Sequence, residues 1–167
     1  MADLNKARTE AHRVLDMFGI SEPPIDPERI AEQLGVDVVY ARFKPEVSQA
    51  ISGFIHLPEG KPQIVVNASI PAKRKTFTIA HELGHYLLHM DYISGDRYRV
   101  HPRSNGHVGA KPDEEKEADV FAAALIAPKE LVNRYRGIAS LPEMSKIFVA
   151  SEDMLKWRMH NIDVHGN

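Results

Sequence analysis

His81-Glu82-Leu83-Gly84-His85 sets two imidazoles four residues apart with a carboxylate between them. On a helix, residues four apart share a face, one turn from each other. His81 and His85 then point the same way, with a reach suited to one small cation. Neutral imidazole is a good zinc ligand, and Glu82 stands where it can handle the proton of an attacking water. The chemistry this pattern points to is zinc-assisted hydrolysis, of a peptide bond first of all. The competing reading is a pair of structural histidines in a chance match. The surroundings favour the metal: Thr78, Ile79, Leu83, Leu87 and Leu88 recur at the spacing of a core-packed helix. Gly84 costs such a helix about 1 kcal/mol relative to Ala. In return, a residue without a side chain lets another backbone, or the rest of the metal's shell, come close.

A catalytic zinc site takes three protein ligands and a water. The chain has no cysteine, so the third ligand is His, Asp or Glu. His89 follows at the next spacing of four, but about 6 Å further along the axis. A continuous helix cannot bring His81, His85 and His89 to one tetrahedral centre, so His89 reads as a helix-end residue. The stretch from Asp113 to Pro128 offers more. Pro112-Asp113 marks a helix start and Pro128 its end. Acidic residues at a helix N-terminus are favoured by the macrodipole, which accounts for part of this cluster. Glu115, Asp119, Ala122, Ala123 and Ile126 fall on one face. Glu115 is therefore expected as the third ligand, with Glu117 as the alternative. Asp119 is expected to accept the free ring N–H of a ligating histidine.

With these segments in order, the chain resembles the ImmA/IrrE family of metallopeptidases. The resemblance rests on Ile30-Ala31-Glu32-Gln33-Leu34-Gly35-Val36, Ile64-Val65-Val66-Asn67, the run from Lys75 to His89, and the helix from Glu115 to Pro128. It covers roughly residues 25–160. It implies that His81, His85 and Glu115 bind zinc and that Glu82 is the catalytic carboxylate. It further implies a cytoplasmic protease, associated with mobile elements and stress-response operons, that cleaves or otherwise inactivates a helix-turn-helix repressor encoded nearby. Ile126-Ala127-Pro128 departs from the family's usual Leu-Met-Pro, and the long polar stretch between the two motifs is a second departure.

The elements that must position these groups follow from pattern. Residues 3–18 read as an amphipathic helix ended by Gly19, and Asp26-Pro27 opens a second helix closed by Gly35. Val36–Tyr40, Ile51–Leu57 and Gln63–Asn67 read as strands, the last two joined by Pro58-Glu59-Gly60-Lys61-Pro62 as a hairpin. Ser69 is expected to cap a long helix over about 71–90 that carries the histidines. The fold class is α+β: a small three-stranded sheet, antiparallel or mixed, beside the zinc-bearing helix, with a mainly helical C-terminal part. Ile51-Ser52-Gly53-Phe54-Ile55 is the candidate edge for an extended substrate, plain sheet packing being an equal reading. Lys73, Arg74 and Lys75 sit where the helix dipole disfavours cations. They are expected to be solvated or paired elsewhere, with substrate contact the weaker reading.

Residues 92–112 read as a long loop with Arg97, Arg99, His101, Arg103, His107 and Lys111. It joins the two ligand segments, so it is expected to pass near the site; solvated loop charges are the default reading, and gating of the cleft or help to an oxyanion the functional ones. Tyr86, His101, His107 and the arginines are the candidates for stabilising an oxyanion, with nothing to choose among them. Residues 141–161 read as a helical hairpin with Ser151 as the second cap, and Met154, Leu155, Trp157 and Met159 as packing surface.

The whole-chain figures set limits. A length of 167 residues suits one domain spanning the chain. A net charge of −2 gives no electrostatic case for nucleic-acid binding, which leaves a DNA-binding regulator as the weakest reading. The absence of cysteine suits a reducing compartment. No apolar run reaches the about 18 residues a membrane span needs, and the N-terminus lacks a signal-peptide core. The function expected is a zinc endopeptidase acting on a regulatory protein. The alternative is a zinc-dependent switch that acts by contact without turnover.

Overall fold

The computed structural model of the chain describes residues 1–95 and 111–166. Arg97, Arg99, His101, Arg103 and His107 lie outside the described residues. Helix α1 (Leu4–Met17) starts on Asp3, whose carboxylate accepts the N–H of Lys6, and stops before Gly19 at φ 62°. Helix α2 (Pro27–Gln33) starts on Asp26, which accepts from the N–H groups of Glu28 and Arg29, with Pro27 in the first turn. Both starts follow from local chemistry: a short acidic side chain satisfies donors that the first turn leaves without an intrahelical partner.

Strands β1 (Asp37–Ala41), β2 (Gly53–His56) and β3 (Gln63–Asn67) make one sheet in the order β1-β3-β2. β1 runs parallel to β3, and β2 runs antiparallel to it. The sheet is thus mixed. β3 is central because Ile64, Val65, Val66 and Asn67 are all buried, as an apolar run covered on both faces must be. A single helical turn, α3 (Pro45–Ser48), stands between β1 and β2, where no element was expected.

Asn67 organises the end of β3. Its Nδ2 donates to Ser48 Oγ at 2.9 Å and its Oδ1 accepts from the Ser69 N–H at 2.9 Å. Ser69 is therefore occupied at the strand end and does not cap the long helix. That helix, α4 (Ala72–Leu88), has Pro71 at its N-cap and no side-chain cap bond. His89 breaks the helix, and a further turn, α5 (Met90–Ile93), follows.

The C-terminal part is helical: α6 (Asp113–Ile126), α7 (Lys129–Tyr135), α8 (Leu141–Ile147) and α9 (Glu152–His165). Ser140 and Glu143 form a reciprocal capping box on α8, and Ser151 caps α9 by accepting the Met154 N–H. Leu155 and Ile162 hold α9 to the core, and buried Arg158 donates from Nε to Ala127 O at 3.0 Å, closing the end of α6. Trp157, expected among the packing residues, is 43% exposed. Its position on α9 turns the ring partly outward, away from the side that carries Leu155 and Ile162. Among the described residues, no helix is long and apolar enough to cross a membrane.

α4 packs against α6 and also meets α2, β2 and β3. Two glycines permit these approaches. A Cβ on Gly84 would lie 2.9 Å from Phe121 Cδ1 and 3.3 Å from the Ala118 Cα. A Cβ on Gly53 would lie 2.6 Å from Val65 O and 2.7 Å from Thr78 Cγ2. Real side chains there would push α6 or β2 off α4. Gly84→Val should therefore destabilise the protein by about 1–3 kcal/mol, the usual range for overpacking, despite removing a helix-weakening glycine. Chemical denaturation checks this, and a midpoint at or above wild type would contradict the close contact.

Candidate metal centre

Helix periodicity sets His81 and His85 on one face of α4, and the face of α6 that meets them carries Glu115 in its first turn and Asp119 one turn on. His81, His85 and Glu115 are all buried, and each offers a ligand atom within 4.8 Å of the other two. His85 Nε2 is 3.0 Å from Glu115 Oε1, and His81 Nε2 is 3.4 Å from Glu115 Oε2. The rings of His81 and His85 meet edge to face, with centroids 4.8 Å apart. These three could hold one metal ion, and Glu82, also buried, sits between the two histidines in sequence.

Behind each imidazole stands a second group. His81 Nδ1 lies 2.9 Å from Asp119 Oδ1, and Lys111 donates to the other oxygen of Asp119. Behind His85 stands His89, with the two Nδ1 atoms 3.2 Å apart, and His89 Nε2 lies 2.8 Å from Glu117 Oε2. Glu117 is thereby placed on His89 rather than on the trio, and its Oε1 accepts the N–H of Asp3 at 2.6 Å. His89 is the helix-end residue that the spacing implied, but it does more than end the helix: it holds the ring of His85. Sequence reasoning missed that role. The signal was present in the repeat of four that joins His81, His85 and His89.

The model of one protein family matches residues 31–156: Peptidase_M78, the IrrE N-terminal-like domain. The chain belongs to that family. The match spans both ligand segments and bears out the resemblance drawn from the motifs. Among solved structures, a Mycobacterium tuberculosis transcriptional regulator is similar in fold, with a TM-score of 0.63 and 17% identity over 93% of this chain. This chain spans only 46% of that protein. No curated protein matches. Membership of the Peptidase_M78 family supports a metallopeptidase-type function.

Proton counting tests whether a metal fits this Peptidase_M78 site. The row Glu117–His89–His85–Glu115 has three links. Burial lowers the pKa of both His85 and His89, more than Glu115 and Glu117 raise them. Both rings are then neutral, and each carries a single N–H. Two protons cannot serve three links. Glu117 accepts from His89 Nε2, and the bare Nδ1 of His89 accepts from His85 Nδ1. His85 Nε2 is left as a lone pair directed at the Glu115 carboxylate. A cation held there would complete the row, and two imidazoles with a carboxylate are a donor set that fits a divalent ion such as zinc.

Charge at His81 is set differently. Burial opposes its protonation, but Asp119, Glu115 and Glu82 outweigh burial and hold its pKa up at about 9. For Glu115, burial is outweighed by His81 and His85, which hold the carboxyl well below its usual range. Asp119 is lowered likewise, by His81 and Lys111 against burial.

Two outcomes follow. In the metal-free protein, folding favours the protonated form of His81, whose ordinary value is 6.5. That contribution is complete below about pH 6.5 and is lost as pH rises through about 9. The Tm of chelator-treated protein should fall across this window, and His81→Gln should remove the fall. Glu115→Ala should lower zinc affinity by more than the roughly 10–100-fold that loss of an outer partner causes, and His89→Ala should stay within that range. Competition with a chelating dye measures both, and equal affinities for wild type and Glu115→Ala would defeat the ligand assignment.

Proposed function

We propose that this chain is a zinc-dependent endopeptidase of the cytoplasm that cleaves a peptide bond in a regulatory protein, with a helix-turn-helix repressor as the expected substrate. One observation carries the reading: two imidazoles of α4 and a carboxylate of α6 converge within 4.8 Å, and Glu82 lies between two of those ligands in sequence. Family membership supports the peptidase chemistry, and the regulator named among similar folds is consistent with a regulatory setting. His81, His85 and Glu115 would hold the ion, while Asp119 and the His89–Glu117 pair keep the rings turned toward it. Bound zinc would supply Lewis acidity at the scissile carbonyl and ease ionisation of the attacking water.

The chain's own residues do the rest. The Glu82 carboxylate takes the proton of the water as its oxygen bonds to the carbonyl carbon. It then gives that proton to the amine nitrogen as the C–N bond breaks. Among the described strands, β2 pairs with β3 alone, and Gly53 of β2 lies against Thr78, three residues before His81. The open edge of β2 is thus beside the ligand helix, where an extended substrate can add by main-chain hydrogen bonds.

Glu82→Gln separates turnover from a switch that acts by contact. Proteolysis of the repressor encoded beside the gene, followed by mass spectrometry, should drop by roughly 10²–10⁴-fold, the span of general acid–base catalysis. Zinc content should be unchanged. Undiminished cleavage, or full regulatory effect in this variant, would refute the enzymatic reading.

A further inference from the structure

A cavity of about 680 Å³ opens beside the metal centre, and Asp119 forms part of its wall. This is within the range of roughly 300–1,000 Å³ typical of ligand sites. Phe77, Ala123, Ile126, Met154 and Trp157 make its lining predominantly apolar. Phe77 stands one helical turn before His81, with ring centroids 6.2 Å apart. A side chain seated in the cavity is therefore close to the reacting centre. Trp157 explains itself here: its 43% exposure is that of a ring on the wall of an open groove.

Lys73 and Arg74 also line the groove, from the exposed first turn of α4. Among the described residues neither is ion-paired. Lys73 is held in place by donating from Nζ to Ser145 Oγ at 2.6 Å, and buried Ser145 in turn donates to Ala150 O at 2.5 Å. The cations remain at the N-terminus of α4 although the dipole opposes them there. An apolar trough with two unneutralised cations attracts a ligand that is apolar at one point and anionic beside it.

We infer that this groove is the specificity pocket for the substrate of the peptidase reading on which the inference rests. It takes a large apolar side chain of the polypeptide, Leu or Phe in size, flanked by Asp or Glu that meets Lys73 and Arg74. Peptide sequence is thereby read on the α6–α9 side of the metal by shape and by charge together.

Trp157 is the chain's sole tryptophan, so its emission reports the groove directly and without turnover. Zinc-loaded Glu82→Gln protein is titrated with a capped octapeptide carrying one Leu followed by two Glu. The same peptide with Ser for Leu, and with Lys for both Glu, serves for comparison. The Leu–Glu peptide should shift Trp157 emission saturably, and Ser for Leu should weaken binding by roughly tenfold or more. Lys for Glu should weaken it too, as should added salt. Arg74→Glu, at an exposed position, should weaken the Leu–Glu peptide several-fold and reverse the preference toward the Lys peptide, with an unchanged Tm. Equal binding of all three peptides, or no shift with any, overturns the pocket. So does a concentration-dependent dimer that shifts Trp157 without peptide, which would give the groove to a second copy. Zinc-loaded wild type is incubated with the same peptides in parallel. Discrimination by emission without cleavage sinks the peptidase reading and keeps the pocket. Cleavage without discrimination does the reverse.

Discussion

The contact between α4 and α6 at Gly84 is the constraint on which the rest of this molecule depends. The two histidines belong to one helix and the carboxylate to another, so the site exists only as far as those helices come together. With 2.9 Å from a would-be Cβ to the Phe121 ring and 3.3 Å to the Ala118 Cα, there is no room for any side chain at that point. The helix-weakening residue sits inside the histidine motif because the same stretch of backbone must carry the two histidines on one side and accept a neighbour's backbone on another. Ala118 and Ala122 on α6 continue the same logic, small side chains at a close crossing.

Electrostatics then shape what the packing assembles. Two buried carboxylates, Glu82 and Glu115, and three buried imidazoles meet half-buried Asp119 and Glu117 where the helices cross, and removing charge from water is costly unless it is paired. The arrangement meets that cost from both ends. Asp119, itself held by Lys111, backs His81, while His89 and Glu117 back His85. His81 and His85 each have the outer nitrogen engaged and the inner nitrogen turned toward Glu115. With both His85 and His89 neutral, the row through His89 is one proton short, and a cation would fit the lone pair left at His85 Nε2.

Much of the fold was legible because it rests on local chemistry. Asp26 and Ser151 announce helix starts by side-chain caps, Gly19 and Gly35 sit at positive φ beyond helix ends, and short apolar runs mark the three strands. Where the reading failed, a longer-range demand had taken the residue. Ser69 is a plausible cap by type, but Asn67 claims its N–H at the strand end. Trp157 looks like core beside Met154, Leu155 and Met159, yet it lines an open groove formed with α4 and α6. Choosing a parallel partner for β1 required knowing that the buried β3 lies between two edges.

By itself, the sequence determined which residue types could bind a metal and which of them share a helical face, because a spacing of four and a period of 3.6 are properties of a single helix. It also determined family membership, through the order of its motifs. Only the tertiary structure shows which of Glu115 and Glu117 lies beside the two histidines, since both lie in the first turns of the same helix and differ chiefly in which neighbour they face. One turns to His81 and His85, the other to His89 and the N-terminal segment. That choice depends on how α6 is rotated against α4, which is set by Gly84, Ala118 and Phe121 meeting across the interface rather than by any pattern within either helix.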